Sequence, residues 1–175
     1  MTMWVFGYGS LLWNPGFETD DTQVGVLNDY ARSFCMRSIH HRGTSEHPGL
    51  VLALDEQHGA SCEGVALRVR AGDEAQTLVY LRERELISSA YLERILPVIL
   101  NTGETIQAVT YVIDPDHVQY CHLELEEQAN VISRAVGDRG PNTEYLHNTA
   151  SHLVKIGIED PDLNWLSKRV VTLCS

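Results

Sequence analysis

The sequence predicts an α+β fold: a curled sheet or small barrel with helices packed against it. Three observations carry that prediction. Strand-like apolar segments dominate the first half of the chain, helical periodicity dominates the last third, and the two kinds of element are segregated rather than alternating. At 175 residues the chain is expected to form one domain, residues 1–175, and it is long enough to bury a sizeable core. No internal repeat, low-complexity stretch or linker interrupts it.

The elements follow in order. Trp4, Val5 and Phe6 favour extended backbone and make residues 3–7 the first strand. A second strand covers 23–27 and extends through Tyr30 and Phe34. Residues 50–54 are apolar and read as a buried strand; residues 63–70 alternate, with Val65, Leu67 and Val69 on one face. Between the second and third strands lies HHRGTSEHPG, rich in Gly, Ser, His and Pro, which reads as a loop. A helix is expected over 73–85, with Ala75, Leu78, Val79 and Arg82 at helical spacing and Ser88 and Ser89 ending it. Residues 92–101 and 105–113 form two strands joined by the hairpin turn N-T-G-E, and Asp114-Pro115 closes that section. The last third holds three helices. The first covers 125–136 and is ended by Gly137. The second covers 142–156, with Leu146, Ala150 and Leu153 on one face, and is ended by Gly157. The third opens with Asp160 as N-cap and Pro161 at the first helical position and runs to Leu173.

The formal net charge is −11. An acidic chain repels phosphate backbones and anionic lipid, so neither nucleic acid nor a membrane surface is an expected partner. No apolar run approaches a membrane span, and the N-terminus lacks the basic region and cleavage site of a signal peptide, which points to the cytoplasm. Cys35, Cys62, Cys121 and Cys174 are scattered with no C-x-x-C pair, so they read as reduced thiols rather than a zinc site or disulfide framework. His40, His41, His47 and His58 fall in or near loops and show no metal-ligand spacing.

Two stretches could carry chemistry. Directly after the first strand comes G-Y-G-S-L-L, Gly7 to Leu12, where the glycines permit a sharp turn and close backbone approach. Such a loop can aim several N–H groups at one anion. Leu12 stands where a dinucleotide fingerprint needs its third glycine, the run after Ser10 opens no obvious helix, and the Gly-Lys-Ser/Thr of a P-loop is missing. A small anion such as a carboxylate therefore fits better than a nucleotide. The second stretch, LRERELISSAY, holds Glu83 and Glu85. Two residues apart on a helix, they lie about 200° from each other, so only one can look inward.

Four segments resemble the ChaC-type γ-glutamylcyclotransferases, in that family's order and over nearly the full length. They are WVFGYGSLLWNPGF; FCMRSIHHRGT with Pro48-Gly49 following; RELISSAY from Arg84 to Tyr91; and GPNTEYL from Gly140 to Leu146. The resemblance implies a γ-glutamylcyclotransferase-like fold, a small mixed β-barrel with surrounding helices. It also implies conversion of a γ-glutamyl compound, reduced glutathione in ChaC-type members, to 5-oxoproline with release of the amine portion, here cysteinylglycine. By match to the motifs, Glu85 is the general base and Gly7, Tyr8, Gly9, Ser10, Leu11 and Leu12 form the substrate loop. Arg42, Tyr91 and Tyr145 line the pocket. Cys35 stands where members often carry Trp, and Arg37 and Ser89 where they often carry Gly, changes that bear on substrate preference rather than on the loop or the base.

The residues suit this chemistry. The α-amine of the glutamyl group attacks its own γ-carbonyl, so a carboxylate must take the amine's proton and hand one to the leaving nitrogen. The flexible γ-glutamyl chain must also be folded back, and clamping its α-carboxylate on the N–H groups of Gly9, Ser10 and Leu11 and on the Ser10 hydroxyl does that. No metal or organic cofactor is implied; the expected partner is a small-molecule substrate. Two other readings stay open: a cyclotransferase for other γ-glutamyl amino acids or amines, and a non-catalytic protein that keeps the cradle to sense a γ-glutamyl ligand.

Overall fold

A computed structural model of the chain describes residues 2–86 and 89–175. Its elements run β1 (Trp4–Gly7), α1 (Ser10–Trp13), β2 (Thr19–Ser38), β3 (Gly49–Val69), α2 (Glu74–Glu85), β4 (Tyr91–Leu100) and β5 (Thr105–Ile113). There follow α3 (Leu125–Arg134), β6 (Val136–Gly137), β7 (Gly140–Pro141), α4 (Asn142–Lys155) and α5 (Pro161–Cys174). Among the described residues β1 to β5 close into a barrel in the order β1-β3-β2-β4-β5. The barrel is mixed: β1 runs antiparallel to β3 and parallel to β5. The expected α+β class and mixed barrel are therefore what the chain adopts.

The chain divides into two compact units, Met1–Ser33 with Ala53–Val118 and Phe34–Leu52 with Gln119–Ser175. In the first, Val5, Phe6, Leu54, Leu81, Val98 and Ala108 are buried. In the second, α3, α4 and α5 pack on one another, and Ile132, Leu146, Leu153 and Leu163 are fully buried.

The N-T-G-E hairpin forms as expected. Leu100 N–H donates to Glu104 O at 2.8 Å, and the strands pair in register from Ile99↔Thr105 to Tyr91↔Ile113. The Asp160 side chain caps α5 by accepting from Leu163 N–H at 3.1 Å, with Pro161 in the first turn. Past α4, Gly157 N–H donates to Val154 O and Ile158 N–H to Leu153 O, the paired bonds of a left-handed C-terminal cap.

Four expectations need correction. The segments 50–54 and 63–70 are parts of one strand, β3, and β2 is likewise continuous from Thr19 to Ser38. Backbone pairing carries both through exposed polar residues that show no apolar alternation; at the irregular crossing Gly59 N–H donates to the Asp29 carboxylate at 3.0 Å. In α2 the buried residues are Thr77 and Leu81, while Val79 is exposed, so the inward stripe lies about one position off the expected one. A single helical turn, α1, does follow Gly9, too short to leave a periodic signal. Finally, α3 stops at Arg134. Ala135 is extended, and Val136–Gly137 pairs with Gly140–Pro141. Gly137 serves close approach rather than capping: a Cβ there would lie 2.5 Å from the backbone nitrogens of Arg42 and Gly43.

Candidate active site

In the first unit the Gly7–Leu12 segment leaves β1 and turns at once into α1. Leu12 N–H donates to Gly9 O at 2.9 Å and Asn14 N–H to Ser10 O at 2.8 Å. Gly9, Ser10 and Leu11 open the turn, where N–H groups have no intrahelical acceptor. Tyr8 fixes the entry. Its buried hydroxyl donates to Tyr111 O at 2.8 Å, and its carbonyl accepts from Arg32 Nη1 at 3.3 Å. Leu11 and Leu12 are buried beneath the turn and anchor it, while Ser10 is half-buried.

Glu85 is the last residue of α2. Of the two glutamates the helix turns Glu85 inward: Glu83 is exposed, and the Glu85 side chain keeps only 13% of its exposure. Its neighbour Arg84, equally enclosed, gathers the surroundings. The guanidinium lies with Nε 3.3 Å from Glu85 Oε1 and donates through Nη2 to Ser10 Oγ at 3.0 Å. Through Nη1 it donates to Asn14 O at 2.6 Å, Pro15 O at 3.1 Å and the Tyr80 hydroxyl at 3.0 Å. The proposed loop and the proposed base are thus tied to one cation. The helix ends at Glu85 with Leu86 as its C-cap; of the two serines expected to end it, Ser88 falls outside the described residues, and Ser89 N–H donates to Leu86 O at 3.2 Å. Tyr91, half-buried, opens β4 opposite Ile113.

A second chain of contacts holds the same end of α2. Arg82 donates from Nε and Nη2 to the two oxygens of Glu93, both at 3.0 Å, and the Tyr111 hydroxyl donates to Glu93 Oε1 at 2.9 Å. The Arg82 hydrogen bonds hold the Glu93 carboxyl below the usual carboxylate range. Burial, then the bond to Glu93, then the charges of Glu93 and Glu85 push the Tyr111 phenol upward. Tyr111 and Glu93 are absent from the residues singled out in the sequence. Counting back equally from N-T-G-E would put Glu93 opposite Val112; the turn instead closes between Leu100 and Glu104, which shifts the register by one residue and brings Glu93 opposite Tyr111.

In the second unit Arg42 and Tyr145 come together. The Arg42 guanidinium lies 5.8 Å from the Tyr145 ring centroid, and its Nη1 donates to Pro141 O at 3.0 Å and to Glu144 at 3.2 Å. The Tyr145 hydroxyl accepts from Leu52 N–H at 3.1 Å, and its ring meets Phe34 edge-on. Asn142, also missed by sequence reasoning, donates to Leu50 O and accepts from Leu50 N–H, both at 2.8 Å. Residues 142 and 145, one turn apart on α4, therefore satisfy the backbone of β3 at alternate positions.

A family profile described as "ChaC-like protein" matches residues 3–173. This chain belongs to the ChaC-like family. Among curated relatives, the ChaC-like chain is 38% identical over 163 residues to the glutathione-specific gamma-glutamylcyclotransferase of Escherichia coli K12, covering 93% of this chain and 70% of that one. It is 38% identical over 172 residues to gamma-glutamylcyclotransferase 2-1 of Arabidopsis thaliana, covering 91% and 78%. It is 32% identical over 163 residues to the human glutathione-specific gamma-glutamylcyclotransferase 1, covering 91% and 73%. A crystal structure of the yeast glutathione-specific γ-glutamyl cyclotransferase superposes with a TM-score of 0.87 at 22% identity, covering 98% of this chain and 96% of that one, which establishes the shared fold. Among the described residues of this ChaC-like chain no three His, Cys, Asp or Glu side chains converge as a metal site, and no helix is long and apolar enough to cross a membrane.

Proposed function

We propose that this chain is a glutathione-specific γ-glutamylcyclotransferase, with Glu85 as general base and the Gly7–Leu12 loop as the cradle for the substrate's α-carboxylate. The names of the curated relatives support the reaction and the substrate. The observation within the structure that carries the assignment of roles is the single guanidinium of Arg84 joining Ser10 of the loop to Glu85. Cyclisation needs both ends of one short segment handled together: a carboxylate clamped and, one carbon away, an amine deprotonated.

The reaction balances without a co-reactant. The α-amine nitrogen bonds to the γ-carbonyl carbon and closes a five-membered lactam, while the γ-amide C–N bond breaks. Glu85 takes a proton from the amine and returns one to the departing nitrogen, giving 5-oxoproline and cysteinylglycine. The contacts proposed for Arg42, Tyr91 and Tyr145 rest on the motif match. The reading fits the cytoplasm, since Cys35, Cys62, Cys121 and Cys174 are all free thiols.

The test is a product assay on purified protein with reduced glutathione and, separately, γ-glutamyl-alanine. We expect 5-oxoproline and cysteinylglycine from glutathione and little from the other substrate. Glu85→Gln is expected to lower kcat by about 10²–10⁴-fold, the usual worth of general acid–base catalysis. Equal turnover of both substrates would move the substrate class. No 5-oxoproline from folded protein would overturn the enzymatic reading.

A further inference from the structure

We infer that Arg84 is a positioning residue for substrate binding, acting through Ser10: it fixes the Ser10 hydroxyl as a hydrogen-bond donor toward the substrate carboxylate. The inference rests on the cyclotransferase reading and deepens it.

A serine hydroxyl has one hydrogen and two lone pairs, and a guanidinium has donors only. Arg84 Nη2 donates to Ser10 Oγ at 3.0 Å, so the oxygen is an acceptor in that contact and its own hydrogen must point elsewhere. The guanidinium is itself fixed. Asn14 O, Pro15 O and the Tyr80 hydroxyl take Nη1, and Glu85 lies beside Nε. Its side chain keeps 10% of its exposure, so the charge behind Ser10 is poorly screened by water. A carboxylate arriving at Ser10 meets an oriented O–H held by a guanidinium whose charge is shared with the Glu85 carboxylate. Lysine at 84 would keep the charge, but one ammonium cannot reproduce a planar fork spread over these separate acceptors. Arginine rather than charge alone is what the position requires.

A double-mutant cycle separates this from mere bracing of α2. Ser10→Ala, Arg84→Lys and the double variant are assayed for kcat and KM. Each is also titrated calorimetrically with reduced glutathione in the Glu85→Gln background, where turnover is slowed enough to read binding. We expect Ser10→Ala to weaken binding about tenfold. Arg84→Lys should weaken it at least as much, and the double variant should bind no worse than Arg84→Lys alone, because the two side chains act as one unit. A conformational brace would instead give effects that multiply, and that result, or unchanged affinity in Arg84→Lys, overturns the inference. Should Arg84→Lys fail to fold, Arg84→Gln, which can donate to Ser10 without the charge, takes its place in the cycle. Glutathione that binds without yielding 5-oxoproline in the wild type sinks the enzymatic reading while the cycle still reports on the coupling; glutathione that neither binds nor reacts overturns both.

Discussion

The Tyr111 hydroxyl donates to a carboxylate that already holds Arg82 with both oxygens, and Tyr111 is only 1% exposed. Removing that hydroxyl takes away a hydrogen bond to a charged acceptor, worth about 1.5–3 kcal/mol. We expect Tyr111→Phe to lose that much in urea unfolding at neutral pH. The pH dependence has a definite sign. The phenol is pushed above its ordinary value in the folded chain, so the unfolded chain releases the proton first. The stabilisation is complete below about pH 10 and is lost as pH rises beyond it. Wild-type stability should therefore fall on the alkaline side, and the fall should be shallower in Tyr111→Phe. Glu93 works at the other end of the scale. Its carboxyl is held low, so its stabilisation is present above the ordinary carboxylate range and lost as pH drops through the depressed folded value. Denaturant midpoints followed across pH for Tyr111→Phe and Glu93→Gln resolve the two limbs.

At the scale of elements, what could be read from the sequence was whatever local chemistry dictates. The β4–β5 hairpin is set by its turn, and α5 by Asp160 and Pro161, whose side chains act within a few residues. What could not be read is set by distant partners. Gly137 looks like a helix stop until the backbone of residues 41–43 is seen against it. Thr77 lies on the inward stripe of α2, where a search for apolar periodicity passes over a hydroxyl. The site divides the same way. The Gly7–Leu12 loop stands out by its glycines after a strand, Glu85 is proposed as base from motif resemblance, and the helix turns Glu85 rather than Glu83 inward. Arg84's grip on Ser10 spans 74 positions and leaves no sequence pattern. Asn142 is the sharpest case. Its amide serves both the N–H and the C=O of Leu50, with both residues fully buried. Asn142→Ala leaves a buried donor and a buried acceptor unpaired, and each unmade bond costs about 1–3 kcal/mol. We expect Asn142→Ala to be among the most destabilising single changes in α4. Asn142→Asp should rescue only part of the loss, because a carboxylate accepts from Leu50 N–H but cannot donate to Leu50 O. Chemical denaturation of the two variants side by side measures both effects.

At the scale of the whole molecule, closing the barrel and building the candidate site are the same act. Strand β1 has four residues, all buried, and joins β3 on one side to β5 on the other. It ends at Gly7, where the proposed carboxylate cradle begins. A strand this short, with pairing on both edges, leaves the loop little freedom to shift. A tight point lies opposite its end: a Cβ on Gly64 would lie 2.5 Å from Gly7 O and 2.7 Å from the Phe6 ring. Backbone cannot yield there as a long side chain would, so a methyl group at 64 must push β1 away from β3 just where the cradle starts. Overpacking of this kind typically costs about 1–3 kcal/mol. Gly64→Ala should therefore lower stability and raise KM for glutathione together, with kcat changed less because Glu85 sits on α2 and not on β1. A stability loss with KM unchanged would mean that the cradle keeps its geometry independently of barrel closure. Paired melting curves and steady-state kinetics on Gly64→Ala distinguish the two outcomes.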